Sequence, residues 1–213
     1  PEGTKETIQN LLNLGTFSLD HFTVKVTEVR EGRVLEGEKF QITCAPTVHT
    51  RNSLGYCFEE KAHRVFQKQK ALDLGIPEGR LFSRLQRGET VEVNGRKFTP
   101  DQVLADPIPG RKVVYTGDTR KSKSIVKLAK GADVLIHEAS YSMEDEDKLT
   151  DSAHSTAQHA AQVAQEAGVK KLYMLHFSQR YTDMSVLEQE AQKIFPESYA
   201  ASDFLTIEVP KHW

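Results

Sequence analysis

The segment Lys171–Tyr181, KLYMLHFSQRY, runs from a short apolar stretch straight into His176, with a hydroxyl at Ser178, a fixed cation at Arg180 and a phenol at Tyr181 close behind. Two other apolar stretches end in the same way. VVYT runs into Gly117, Asp118 and Thr119, and VLI runs into His137 and Glu138. Upstream, QITCAP is followed by Val48 and His49. Imidazole nitrogens and a carboxylate oxygen are borderline and hard donors, so His49, Asp118 and His176 together make a set that suits zinc. Singly, each residue has an ordinary reading. An Asp after a strand is a turn or cap residue more often than a ligand, and a loop histidine needs no special role. Their coincidence at strand exits outweighs the separate ordinary readings.

Glu138 and His154 point to a second role. A carboxylate that binds one ring nitrogen of a histidine fixes its tautomer and stabilises its cation, which leaves the other nitrogen as a proton donor. That is a general-acid arrangement. Nearby, Ser155 reads as the N-cap of a following helix, His159 as a surface residue inside it, and Tyr181 as packing.

The elements that must position these groups alternate. A first helix is expected over about Lys5–Leu14 with Gly15 as its stop. HFTVKVTEV, KFQITCA and LGYCFEE have the alternation of half-buried strands. Between Glu59 and Pro100 the pattern changes to a cationic stretch, then GIPEGR, then a hairpin turning at Asn94-Gly95, and this reads as an insertion. From there strands and helices alternate: KVVYT, a helix near Ser122–Lys130, DVLIH, a helix near Thr156–Ala167 closed by Gly168, KLYML, a helix near Val186–Phe195, and FLTIEV. The fold class is α/β, and in such sheets ligands gather outside the carboxyl ends of the strands.

Composition narrows the class. The chain has 213 residues, 38% hydrophobic and 27% charged, which describes an ordinary globular domain without a membrane-spanning run. Two cysteines, Cys44 and Cys57, do not make a disulfide framework and fit a reducing cytoplasm. The formal charge of −2 gives no global sign of nucleic-acid binding. Locally, basic residues cluster at Arg80, Arg84 and Arg87 and again from Arg120 to Lys130, while Glu144–Asp147 is acidic.

Five stretches in order, APTVHTRNSLGYCFEE, VVYTGDTR, DVLIHEASY, AHSTAQHAA and LHFSQRY, resemble the ribonuclease Z family, the tRNA 3′-processing endonucleases of the metallo-β-lactamase superfamily. The likeness covers nearly the whole chain. It implies an αβ/βα sandwich with two zinc ions at the sheet edge. His49 matches a ligand of one ion, Asp118 the bridging aspartate and His176 a ligand of the other. Glu138 and His154 match the pair that protonates the leaving group, with Ser140 standing where Thr is more usual. Ser178 and Arg180 match positions near the substrate phosphate. Gly75, Pro77 and Gly79 match an arm that grips tRNA, placed in an insertion at about residues 60–98. The resemblance also implies a cytoplasmic homodimer acting on precursor tRNA.

One departure stands out. The family's His-x-His-x-Asp-His motif occurs nowhere in the chain, and His21, His63 and His212 stand alone. The chain therefore resembles the last two thirds of such an enzyme, a sandwich incomplete at its N-terminal side, and by itself it is expected to be inactive. Two other readings stay open: another metallo-β-lactamase-like phosphodiesterase or sulfatase, and a non-catalytic RNA-binding half-protein.

Overall fold

The computed structural model describes residues 1–14, 23–49, 52–149 and 153–212. These form two compact units. The first comprises Pro1–Glu59 and Arg111–Pro210, and the second Glu60–Gly110 together with Lys211 and His212.

The first unit opens with helix α1 (Thr4–Leu12) and then builds a seven-stranded mixed sheet. Its strands are β1 (Gly32–Glu36), β2 (Phe40–Pro46), β3 (Leu54–Glu60), β6 (Lys112–Tyr115), β7 (Val134–Glu138), β8 (Lys171–Leu175) and β9 (Ser198–Ala200), side by side in that order. β1 pairs antiparallel with β2, and β3 antiparallel with β6, whereas β6, β7, β8 and β9 run parallel. Helices α4 (Lys123–Ala129), α5 (Ala157–Ala167) and α6 (Ser185–Gln192) make the crossovers between these parallel strands. Parallel crossovers are right-handed, so strands laid down in one direction send every connecting helix to the same face.

That face holds the core. Cys57, Val114, Leu135, Leu172 and Met174 meet Ile125 and Ala129 of α4, Leu187 and Ala191 of α6, and a row of buried alanines on α5. Alanine at Ala157, Ala160, Ala161 and Ala164 lets α5 lie close to the sheet. On the opposite face the period of two brings out Tyr56, Phe58 and Tyr115, all exposed. Phe58 stacks on Phe40 and Tyr173 on Tyr199, each at 5.2 Å between ring centres. Both cysteines are free and buried, and burial pushes their thiols up from the ordinary value. No helix among the described residues is long and apolar enough to cross a membrane.

The second unit contains α2 (Lys68–Asp73), α3 (Arg80–Gln86) and the hairpin β4 (Val91–Val93) and β5 (Arg96–Phe98). Asn94 and Gly95 both have positive φ, as the expected tight hairpin turn requires. The unit has its own core of Ala71, Ile76, Phe82, Leu85, Val91, Phe98 and Val103. Ile76 is 1% exposed and its N–H donates to the Ala71 carbonyl, so Gly75, Pro77 and Gly79 stand in solvent around an anchored apolar side chain. The ends of the unit meet closely: a Cβ on Gly110 would fall 1.9 Å from the Glu60 carbonyl oxygen.

Two expected strands are absent. Residues 23–29 form none, and Val24 is 40% exposed, so the alternation there has no partner surface to bury against. The edge strand lies instead at Gly32–Glu36, where every residue is exposed and pairing with β2 alone defines it. FLTIEV is also irregular. Phe204 sits at φ 66 and is fully exposed, a conformation that ends extension, and β9 precedes it. Gly15, His21 and Phe22, assigned to the helix stop and to the first strand, lie outside the described residues.

Candidate active site

The parallel strands β6, β7 and β8 end on one edge, and their exits supply Asp118, Glu138 and His176. After β6 the chain turns at Gly117, whose φ of +64 a residue with a Cβ adopts only with strain. The loop after β2 that carries His49 is tied to this turn. Val48 N–H donates to Thr119 Oγ1 at 3.0 Å, and Arg120 N–H donates to the Val48 carbonyl at 2.9 Å.

Glu138 is fully buried and its carboxylate is saturated. Oε1 accepts from Thr119 N–H at 2.6 Å and from His154 Nδ1 at 2.9 Å. Oε2 accepts from Ser140 Oγ at 2.9 Å and from Ser155 N–H at 3.1 Å. A buried carboxylate without such partners is costly; four donors supply the compensation.

Three imidazoles each commit the same ring nitrogen to a partner. His154 commits Nδ1 to Glu138, His49 commits Nδ1 to the Ala153 carbonyl at 3.0 Å, and His176 commits Nδ1 to Ser140 Oγ at 2.9 Å. A neutral ring that donates from Nδ1 keeps its lone pair on Nε2. His49 Nε2 lies 4.0 Å and His176 Nε2 3.7 Å from Asp118 Oδ2. The His154 ring packs against both, at 5.0 Å from His49 and 5.1 Å from His176.

Two sets of donors lie within 4.8 Å of one another: His49 with Asp118 and His154, and Glu138 with His154 and His176. In the second set Glu138 is already saturated, so the first offers the freer donor atoms. The structure thus brings His49, Asp118 and His176 together with His154 among them, and that donor set fits a borderline divalent metal. His176 is itself strained, at φ 60 in the left-handed region, where a non-glycine residue is uncommon.

Beyond His176, Arg180 Nε donates to Ser178 Oγ at 3.1 Å and its guanidinium lies 5.1 Å over the Tyr141 ring. Tyr181 packs against the core but is not only packing: its hydroxyl accepts from Ser142 N–H at 2.9 Å and contacts the Asp145 carboxylate. Beside His154 a cleft of about 850 Å³ is walled by Arg120, Lys121, Lys123 and Gln162. It excludes Asp118 and His176, so the chemistry is located by the convergent side chains rather than by this cleft.

Two local readings change. The N-cap of α5 is Thr156, whose Oγ1 accepts from His159 N–H at 3.1 Å, and Ser155 faces inward to Glu138 and Thr119. His159 is half-buried beside Glu146, and burial lowers its pKa. Sequence reasoning noted Ser140 only as standing where Thr is more usual and gave it no role, though it stands two residues after Glu138 and so shares its side of an extended chain. His137 was named at its strand exit but given no role; it is fully buried, donates Nδ1–H to the Glu138 carbonyl at 2.7 Å and leaves Nε2 without a hydrogen-bond partner. Desolvation pushes the His137 pKa down.

Residues 101–177 match a family described as the beta-lactamase superfamily domain. The chain is 44% identical over 209 residues to the ribonuclease Z of Methanothermobacter thermautotrophicus, covering 98% of this chain and 68% of that protein. It is 44% identical over 192 residues to the ribonuclease Z of Archaeoglobus fulgidus, covering 89% and 63%. Among solved structures, human tRNase Z, short form, superposes with a TM-score of 0.52 at 25% identity, covering 85% of this chain and 48% of that one. A diphosphatase from the PhnP family superposes with a TM-score of 0.53 at 14% identity over 99% of this chain and 57% of that one, a likeness of fold alone.

Fold and site together define a metal-dependent hydrolase of the metallo-β-lactamase superfamily. Within it, the chain belongs to the ribonuclease Z family. It spans about two thirds of the length of the curated relatives and about half of human tRNase Z.

Proposed function

We propose that this chain carries the general acid and part of the metal centre of an endoribonuclease that removes the 3′ trailer from precursor tRNA. The observation that carries the reading is the convergence of His49 Nε2 and His176 Nε2 on Asp118, with His154 within ligand distance and held by a buried and saturated Glu138. His49, Asp118 and His176 would hold metal, which the family resemblance gives as two zinc ions. When bound, such ions polarise phosphoryl oxygens and make water nucleophilic near neutral pH.

The remaining steps fall to the chain's own residues. His154 in its cationic form holds a proton at Nε2, because Nδ1 is committed to Glu138, and donates it to the departing 3′ oxygen of the tRNA. Arg180, held by Ser178 and Tyr141, would present its guanidinium to a phosphate. Gly75, Pro77 and Gly79, exposed around Ile76, would form the tip of a tRNA-gripping arm. Several basic residues of that unit are already engaged, Arg64 with Asp101, Lys68 with Glu78, and Arg84 and Arg87 with Glu89. Arg84, then Arg87, hold the Glu89 carboxyl below its usual range. Exposed pairs of this kind are weak enough to exchange for phosphate.

The same reading carries a cytoplasmic homodimer, which light scattering checks. It also makes the 213-residue chain by itself inactive and weak in zinc binding, since His49, Asp118 and His176 divided between two ions give neither the three protein ligands of a zinc site. Incubating the full-length protein with trailer-bearing precursor tRNA and mapping the ends tests the function. Cleavage after the discriminator nucleotide, leaving a 3′ hydroxyl on the tRNA, is expected. Hydrolysis of small phosphodiesters or sulfate esters with tRNA left intact would favour a small-molecule hydrolase, and tRNA binding without cleavage a non-catalytic module.

A further inference from the structure

We propose that Ser140 is a positioning residue that ties His176 to the buried carboxylate of the acid dyad, so that one carboxylate orients both functions. The proposal rests on the metal-centre reading above. Ser140 is 4% exposed, and its Oγ lies 2.9 Å from Glu138 Oε2, 2.9 Å from His176 Nδ1 and 3.0 Å from the His176 carbonyl oxygen.

A hydroxyl has one proton and two lone pairs, while a carboxylate or a carbonyl oxygen can only accept. The Ser140 proton therefore goes to these oxygens, and its lone pair accepts Nδ1–H from His176. This order fixes the His176 tautomer with its Nε2 lone pair toward Asp118, 3.7 Å away. A histidine that ligates a metal commonly has its other nitrogen held in this way.

Ser140 also braces the backbone. His176 occupies the left-handed region at φ 60, and a strained residue persists only where its surroundings over-determine it. The Ser140 carbonyl accepts from Ser178 N–H at 3.0 Å, Ala139 N–H donates to the Leu175 carbonyl at 2.9 Å, and Ser140 Oγ contacts the His176 carbonyl. The contacts form one line, His154 to Glu138 to Ser140 to His176. Through it the charge that holds the acid also holds the ligand.

The test uses the full-length protein with Ser140→Ala, Ser140→Thr and His176→Ala. Zinc affinity is read by competition with a chromophoric chelator, and the His176 tautomer by long-range nitrogen–proton NMR correlations. Ser140→Ala is expected to weaken zinc binding about 10–100-fold, the usual cost of losing such a partner, and to lose the Nδ1–H preference at His176. Ser140→Thr, which keeps the hydroxyl, restores both. The tautomer readout reports on the hydrogen bond itself even where the added methyl packs poorly. If Ser140→Ala keeps wild-type zinc affinity and tautomer while His176→Ala weakens zinc, the proposal is overturned with the metal centre intact. If His176→Ala leaves zinc affinity unchanged, the metal-centre reading fails and the proposal with it.

Discussion

Glu138 Oε1 lies 2.9 Å from His154 Nδ1, with the carboxylate fully buried and the imidazole partly so. Thr119 N–H, Ser155 N–H and Ser140 Oγ complete its shell, so every direction around the carboxylate is occupied by a donor. Glu138→Gln keeps the shape but turns an amide nitrogen toward one or more of those donors. Slower tRNA cleavage with metal content retained is expected, together with a stability loss of about 1–3 kcal/mol, the cost of an unsatisfied buried group. Single-turnover cleavage, metal analysis and urea unfolding on one preparation measure all three.

His137 predicts a pH dependence. Burial holds its folded pKa below the unfolded value of about 6.5, so the unfolded chain takes up a proton that the folded one refuses. The sign follows: stability rises with pH through this window and is lost as pH falls below about 6.5. His137→Asn, whose amide can replace the Nδ1 donor to the Glu138 carbonyl, should flatten the slope of unfolding free energy against pH. His159, also lowered by burial, contributes to both proteins and cancels in the comparison. An unchanged slope would place the acid sensitivity elsewhere.

The second unit can be removed as a piece. Glu60 and Gly110 lie against each other, so a short Gly-Ser link in place of residues 61–109 should close without strain. Precursor tRNA binding should weaken and lose part of its salt dependence, because phosphate contacts act by releasing counterions. With the deletion made in the full-length protein, hydrolysis of a small phosphodiester should survive. Equal loss on both substrates would assign the unit to supporting the fold.

The strand exits were legible because short continuous apolar runs ending in His, Asp or Glu are local signals, and β6, β7 and β8 with α4 and α5 lie near where the alternation of strands and helices predicts them. His49, Asp118, Glu138 and His176 stand at or just after those exits, whereas His154, in the loop before α5, was paired with Glu138 by residue type and by the family resemblance. What was not legible depends on long-range pairing. β1 is an exposed edge strand defined by its neighbour, and FLTIEV has the composition of a strand without a ladder to join. Ser140 bridging Glu138 and His176 requires the register of β7 against β8, which no local pattern states.

The central claim is a division of labour in one cluster, with His154 moving a proton while its neighbours bind metal, although His154 stands within ligand distance of His49 and Asp118. The most direct test is His154→Ala in the full-length protein, with metal content and tRNA cleavage measured on the same sample. The account predicts unchanged metal and cleavage slowed about 10²–10⁴-fold, the usual contribution of a general acid. Loss of the metal on substitution would show that His154 is a ligand and contradict the assignment.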